Sequence, residues 1–263
     1  MSDETPQEVV NASKIIVMVA TPVARFDKFH PKFEQFLKDL AELSASEDCP
    51  YEFIFATVDG GRTWGRCRLV ANFRKLRLRY PNLKWLYWAD DDVDQTAAGL
   101  LRLLSHKRPI VGAMYTTKGD NPHWCCNFMY EVEVQPNGLL QVVEVAIGAL
   151  LTHFQVYDIV EAAFPGLLYT HRDTGERSVG FFQESVIEKV PYSEDYFFCW
   201  LCRHSPVDTG EVNEVGTTKV KLGMGIFVDT QLKLRHRGTD GTLHPAGEWP
   251  PIPVDEKAPA HTD

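Results

Sequence analysis

Three consecutive carboxylates, Asp90, Asp91 and Asp92, are the clearest candidates for chemistry in this sequence. They follow the apolar run 85–89, which is typical of a buried strand. Because neighbouring carboxylates repel one another, a fold that gathers them needs a counter-charge. Oxygen ligands of this kind suit Mg²⁺ or Mn²⁺. The pattern predicts a divalent-cation site, and the alternative interpretation is an acidic loop in which Asp94 caps the next helix.

A basic segment at 62–80 is the second candidate, since it stands out in a chain whose net charge is −9. Its apolar residues recur at helical spacing, so the segment is predicted to be a helix with an exposed basic face. Arg66 and Arg68 lie near its start, where backbone N–H groups also favour an anion. We therefore expect a diphosphate to bind there.

Length and composition set broad limits on what this chain can be. Its 263 residues, of which 44% are hydrophobic, allow one large domain or two small ones. The net negative charge weighs against general nucleic-acid binding. No apolar run is long enough to span a bilayer, and the first residues do not resemble a signal peptide. We expect a cytoplasmic protein with reduced cysteines, so Cys199 and Cys202 are interpreted as buried helix residues rather than zinc ligands.

Alternating strands and helices are predicted to position the charged groups. Strands are expected at 14–20, 51–58, 85–89 and 109–115, with helices between them. This order is typical of an α/β fold with a mainly parallel sheet and helices on both faces. Ligands of such sheets bind beyond the carboxyl ends of the strands. Thr21, Asp59 and the three carboxylates all follow strands, so we expect them to converge at that edge.

The second half of the chain has a different pattern. A hairpin is predicted around the turn 135–138, with strands at 128–134 and 139–145. The segment 146–150 is expected to lead into a helix, and another helix is expected to begin at Ser193. Strand-like residues at 220–234 are followed by His236. We expect a flexible N-terminus at 1–13, a single domain at 14–238 with halves 14–116 and 117–238, and an irregular tail at 239–263.

Several segments resemble, in the same order, motifs of the GT-A glycosyltransferases. The carboxylate triplet resembles the family's Asp-x-Asp motif, and 65–70 is similar to its helix start, with Cys67 in place of Asn. The segments 110–115, 146–158, 193–196 and 228–236 resemble the strand after the metal motif, the acceptor-side turn and helix, the Glu-Asp motif, and the last strand with its histidine. The resemblance, which extends to small phage-encoded members, implies a GT-A (Rossmann-like) sheet with a smaller acceptor-side hairpin and helix region.

The resemblance implies metal-dependent transfer of a sugar from a nucleoside-diphosphate sugar, with a UDP-sugar favoured, to an acceptor hydroxyl. The implied ligands of Mn²⁺ or Mg²⁺ are Asp90, Asp92 and His236. The implied donor-binding residues are Thr21, Asp59, Arg66, Arg68, Asp90 and Asp91. Asp195 is the expected general base, with Glu194 beside it. If the enzyme retains anomeric configuration, this pair would instead orient the acceptor.

Other interpretations stay open at the level of the sequence. His123, Trp124 and Gly148 are the candidate acceptor-binding residues, and Trp124 could stack on a sugar or planar acceptor. The acceptor could be a saccharide, a protein, a small molecule or a hydroxymethylated DNA base, which would have to be flipped out of a duplex. A sugar-nucleotide nucleotidyltransferase and a non-catalytic nucleotide-sugar or glycan-binding module are the alternative functions. No membrane association and no obligate protein partner are expected.

Overall fold

The structure is a computed structural model that describes residues 13–23, 29–59, 61–172, 175–212, 218–238, 243–244 and 250–252. Almost all of the predicted flexible N-terminus and most of the predicted tail at 239–263 lie outside the described residues. The assignment of 14–238 to a single domain stays a prediction.

The described residues form a series of strands, helices and one 3₁₀ turn. In chain order the elements are β1 (Ile15–Val23), α1 (Pro31–Ala45), β2 (Tyr51–Asp59), α2 (Arg62–Arg79), β3 (Leu83–Ala89), α3 (Ala97–Ser105), β4 (Ile110–Met114), β5 (Cys126–Phe128), β6 (Leu139–Val145), β7 (Ala149–His153), α4 (Phe154–Ala163), the 3₁₀ turn Pro165–Leu167, β8 (Leu168–Thr170), β9 (Arg177–Val179), β10 (Ser185–Ile187), β11 (Val190–Tyr192), α5 (Glu194–His204), β12 (Pro206–Val212), β13 (Thr218–Leu222), β14 (Ile226–Lys233), β15 (His236–Arg237) and β16 (Leu243–His244).

A central eight-stranded sheet has the order β2-β1-β3-β7-β4-β14-β6-β5. Strand β1 runs parallel to β2 and β3, and β4 runs parallel to β14. Strands β7 and β6 run antiparallel to their neighbours. The remaining short strands form two-stranded sheets beside this one. The prediction of an α/β fold with a mainly parallel sheet is confirmed.

Helices cover both faces of the sheet because alternate residues of each buried strand point to opposite sides. In β1, Val17 and Val19 pack in the core that contains α1 and α3. Ile16, Met18 and Ala20 pack in the larger core that contains α2, α4 and α5. The sheet is thus the middle of three layers.

Strand β7 was not predicted, and it lies at the centre of the sheet. Leu150 pairs with Trp88 of β3 on one side and with Gly112 of β4 on the other. We expected 146–150 to be a turn leading into a helix, and that prediction is wrong for 149–153. A short buried apolar run cannot be assigned to a strand or to a helix by periodicity alone. Strand β7 lies between β3 and β4, so these two parallel strands do not pair with each other.

The start of α3 also differs from the prediction. Its N-cap is Thr96, whose hydroxyl accepts a hydrogen bond from the Gly99 N–H at 3.0 Å. Asp94 instead accepts a hydrogen bond from Arg237 at 2.6 Å and lies 3.4 Å from the Lys32 ammonium. Threonine and aspartate both cap helices well. Asp94 is engaged with Arg237 and Lys32, and Thr96 is the residue that caps α3. By contrast, Ser193 caps α5 as predicted.

The predicted turn at 135–138 is present, but its first strand is not where we placed it. The Gly138 N–H donates to the Gln135 carbonyl oxygen at 2.8 Å, and Gly138 has a φ of +85°. Strand β6 pairs with β14 on one side and β5 on the other, and of 128–134 only Phe128, at the end of β5, and an isolated bridge at Val134 meet β6. The predicted strand at 220–234 is split between β13 and β14.

Cys199 and Cys202 are buried in α5, as predicted. Among the described residues, we find no helix with the length and apolar character needed to cross a bilayer. The cytoplasmic location stays a prediction.

Candidate functional site

A buried guanidinium joins three carboxylates at the carboxyl edge of the sheet. Arg66 lies near the start of α2 and its side chain is 1% exposed. Its Nη1 donates to Asp195 Oδ1 and to Glu194 Oε1, the latter at 3.3 Å. Its Nη2 lies 3.2 Å from Asp90 Oδ2. The structure therefore brings together the carboxylate that follows β3 and the two acids in the first turn of α5.

The electrostatics of this cluster favour one shared cation and one carboxyl that titrates near neutrality. Burial alone would lower the pKa of Arg66, but the three carboxylates raise it, so the guanidinium stays charged. Burial raises the pKa of Asp195 to about 6, against the opposing effect of Arg66 and with the help of Glu194 and Asp90. Asp195 can consequently exchange a proton close to working pH.

The predicted contact of Arg66 with a diphosphate stays a prediction. In this structure the guanidinium is buried and donates to protein carboxylates. This geometry favours a different role for Arg66, which is to neutralise Asp90 and Asp195 and to hold them together. Arg68 is exposed and lines a groove between α2 and β9, away from this cluster.

A second charge centre surrounds Asp92. The Lys118 ammonium lies 2.6 Å from Asp92 Oδ2, and His236 Nε2 lies 3.6 Å from Asp92 Oδ1. The backbone holds this arrangement, because the Arg237 N–H donates to the Asp92 carbonyl oxygen at 2.6 Å and Val93 bridges to His236. Burial would raise the pKa of Asp92, but hydrogen bonds from His236 and Lys118 lower it below its usual range.

The orientation of His236 fits a cation ligand. Its Nδ1 lies 2.9 Å from the Thr116 carbonyl oxygen, so the ring donates there when it is neutral. That hydrogen bond leaves Nε2 directed at Asp92, and such outer contacts commonly orient metal-binding histidines. A divalent cation between Nε2 and Asp92 Oδ1 would replace the direct contact of the two side chains.

The three predicted metal ligands do not assemble as one group. Within the described ranges, no set of three or more His, Cys, Asp or Glu side chains is arranged to hold a metal ion. The physical reason is that Asp90 turns toward Arg66, whereas Asp92 and His236 face each other. Two protein ligands still suit Mg²⁺ or Mn²⁺, because such ions commonly take their other ligands from substrate phosphates and water.

The remaining predicted donor residues lie at the same edge of the sheet. Thr21 is buried near the end of β1 and pairs with Thr57 of β2. Asp59 ends β2, but its side chain lies outside the described part of the structure. Asp91 is half-buried, and burial together with the charges of Asp92 and Asp90 raises its pKa. Contacts of these residues with a nucleoside stay predictions.

Of the predicted acceptor residues, Gly148 lies at the cluster itself. Its carbonyl oxygen accepts from the Asp90 N–H at 2.9 Å and from Gln95 Nε2 at 2.7 Å. Its own N–H donates to the Tyr115 hydroxyl at 2.9 Å. Gly148 thus fixes the backbone of Asp90 through this hydrogen bond. A contact of Gly148 with the acceptor stays a prediction.

The two aromatic candidates differ in exposure. Trp124 is 5% exposed, so it offers no open stacking surface in this structure. It bridges to Thr116 and its ring packs in the core, and a contact of Trp124 with the acceptor stays a prediction. His123 is exposed, and its Nδ1 lies 3.2 Å from the Thr117 hydroxyl.

Substitution of Gly148 tests how tightly the cluster is supported. A Cβ at this position would lie 2.7 Å from the Tyr115 hydroxyl and 3.0 Å from Asp90 Oδ2. We expect Gly148→Ala to displace Asp90 and to lower the free energy of unfolding by about 1–3 kcal/mol, as overpacking usually does. Urea unfolding measures the loss. Gly166→Ala is the control because a Cβ there meets nothing within 4 Å, and equal stability of both variants would contradict the expectation.

Lys118, Tyr115 and Gln95 belong to the site but received no role from the sequence. Gln95 Oε1 accepts from the buried Tyr87 hydroxyl while its amide holds Gly148. One signal was available, since Tyr115 ends the fourth predicted strand and Lys118 lies three residues beyond it, so both are close to the same edge.

The basic face of α2 is partly neutralised by α4. Arg74 pairs with Glu161 and lies 3.3 Å from Asp158. Arg77 Nη1 lies 3.7 Å from Asp158 Oδ2, and its guanidinium stacks over the Phe154 ring. These internal partners reduce the charge that the helix offers to a phosphate chain, which weakens it as a nucleic-acid surface.

Comparison with known proteins adds little to the geometry. No protein-family model and no curated protein matches this sequence. The chain is similar to the crystal structure of A197 from STIV, with a TM-score of 0.45, 11% identity, and coverage of 93% of this chain and 99% of that one. It is also similar to a glycosyltransferase involved in the glycosylation of the major capsid of PBCV-1, with a TM-score of 0.32, 11% identity, and coverage of 57% and 66%. Likenesses this weak support no statement about activity.

Proposed function

We propose that this chain is a metal-dependent glycosyltransferase that moves a sugar from a nucleoside-diphosphate sugar, with a UDP-sugar favoured, to an acceptor hydroxyl. The observation that supports it is the pairing of two charge centres at one edge of the sheet. Arg66 joins Asp90 to Asp195, while Asp92, two residues after Asp90, faces His236. One centre suits proton transfer and the other suits a cation.

The two centres match the two demands of sugar transfer. A Mg²⁺ or Mn²⁺ ion bound at Asp92 and His236 would supply positive charge for the departing diphosphate. Asp195 is partly accessible, with a side chain 17% exposed, and its pKa of about 6 allows it to accept the acceptor's proton. Arg66 holds the Asp195 carboxylate in place. In a retaining enzyme Asp195 and Glu194 would orient the acceptor instead.

A donor screen tests the proposal directly. UDP- and GDP-sugars are offered with saccharide, protein and hydroxymethylated DNA acceptors, and release of the nucleoside diphosphate is followed with and without Mn²⁺. We expect release that depends on both the metal and one acceptor class. Activity on DNA would fall steeply with added salt. Pyrophosphate release from a nucleoside triphosphate and a sugar 1-phosphate, without donor turnover, would show a nucleotidyltransferase instead.

Removal of the Asp92 carboxylate tests the cation site. Asp92→Asn should weaken Mn²⁺-dependent binding of UDP by at least about tenfold, because one of two protein ligands is lost. Isothermal titration of UDP in the presence of Mn²⁺ measures the effect. Asp120→Asn is the control, since Asp120 is an exposed acid in the loop after β4. Normal UDP binding by Asp92→Asn would contradict the cation site, and wild-type binding without turnover would indicate a non-catalytic module.

A further inference from the structure

Lys118 lies on the exposed loop between β4 and β5 and points back at the site. Its ammonium lies 2.6 Å from Asp92 Oδ2, and the two side chains are 34% and 31% exposed. The next residue, Gly119, has a φ of +115° and no atom within 4 Å of a would-be Cβ. The loop therefore presents a cation to Asp92 from the solvent side.

The ammonium and a divalent ion would compete for the same carboxylate. Asp92 Oδ1 faces His236, and Asp92 Oδ2 holds Lys118. An ion bound between Asp92 and His236 would lie within a few ångströms of the ammonium, where like charges repel measurably even near water. Lys118 must therefore loosen its hold on Asp92 when such an ion binds.

A diphosphate offers the displaced ammonium a new partner. Lysine is a flexible point charge with three donors, and it commonly binds phosphate oxygens. A diphosphate that shares the ion with Asp92 would place oxygens beside the carboxylate that Lys118 already reaches. The ammonium then needs only a small movement, and residues 118–121 are exposed, so core packing does not restrain this side chain.

We propose that Lys118 is a donor-binding residue that neutralises Asp92 in the free protein and moves to the donor's diphosphate when the metal ion binds. This inference rests on the proposed function. It assigns Lys118 two opposite effects: the side chain opposes binding of the metal alone and favours binding of the metal together with a nucleoside diphosphate.

Lys118→Met separates these two effects. The affinity for Mn²⁺ alone, measured by electron paramagnetic resonance, should rise about fivefold, which is the upper range for loss of a partly exposed ion pair. The affinity for UDP at saturating Mn²⁺, measured by calorimetry, should fall about tenfold or more, because a charge-assisted hydrogen bond to phosphate is lost. Lys118→Arg should restore UDP binding. Lys38→Met, at an exposed lysine of α1, should change neither affinity.

The outcomes distinguish this inference from the proposed function. Opposite changes in the two affinities support the role of Lys118. Unchanged or weaker Mn²⁺ binding, or unchanged UDP binding, in a Lys118→Met variant whose wild-type parent binds both overturns only that role. A wild-type chain that binds neither Mn²⁺ nor UDP overturns the proposed function and this inference together.

Discussion

Replacement of Asp195 with Asn should lower kcat/KM for sugar transfer by about 10²- to 10⁴-fold, the range expected for loss of a general base. The amide has nearly the same shape as the carboxyl, and its oxygen can still accept from the Arg66 guanidinium, although the Ile147 N–H that now lies 3.2 Å from Asp195 Oδ2 then loses its acceptor. Arg66 keeps Asp90 and Glu194 as partners. The loss should therefore report chemistry rather than misfolding, and steady-state release of the nucleoside diphosphate measures it.

The pH dependence gives the same residue a separate signature. Burial raises the pKa of Asp195 to about 6, and the base works only when it is deprotonated. The kcat/KM of the wild type should therefore rise tenfold per pH unit below about pH 6 and level off above it. Glu194→Gln should keep this acid limb, whereas Asp195→Asn should lose it. An identical limb in Asp195→Asn would show that another group acts as the base.

Replacement of Arg66 with Met should cost about 3–5 kcal/mol of unfolding free energy, as expected when one partner of a buried ion pair is removed. The physical reason is that Asp90, Glu194 and Asp195 would then face one another without a counter-charge. Urea unfolding measures the loss. Arg68→Met is the matched control on the same helix, where the side chain is exposed, and it should lose far less.

A more conservative substitution keeps this prediction testable if the Met variant does not fold. Arg66→Lys preserves the charge but cannot reproduce the forked contacts of Nη1 and Nη2, so an intermediate loss is expected. Weaker neutralisation should also raise the pKa of Asp195, because Arg66 is the group that lowers it. The acid limb of the pH profile should accordingly move to higher pH. Stability equal to that of the wild type in both variants would contradict the role of Arg66.

Local patterns were enough to predict the general architecture. Apolar runs such as 85–89 and helical stripes such as that of α2 are short-range signals, and they correctly predicted an α/β fold with a mainly parallel sheet. The capping serine before α5 is equally local. Because parallel strands share a carboxyl edge, the sequence also indicated that Thr21 and the carboxylates after β3 would lie at one edge.

The tertiary structure alone decided how those residues pair. Strand β7 enters between β3 and β4 through contacts that no local periodicity encodes. Arg66, read from the sequence as a ligand for an external anion, meets Asp90 and Asp195 inside the protein. Asp92, which is two residues after Asp90, faces His236 and not Arg66. The partners of a buried charge come from distant segments, so burial and long-range packing determine them, whereas the residue types and their spacing determine only which charges are available.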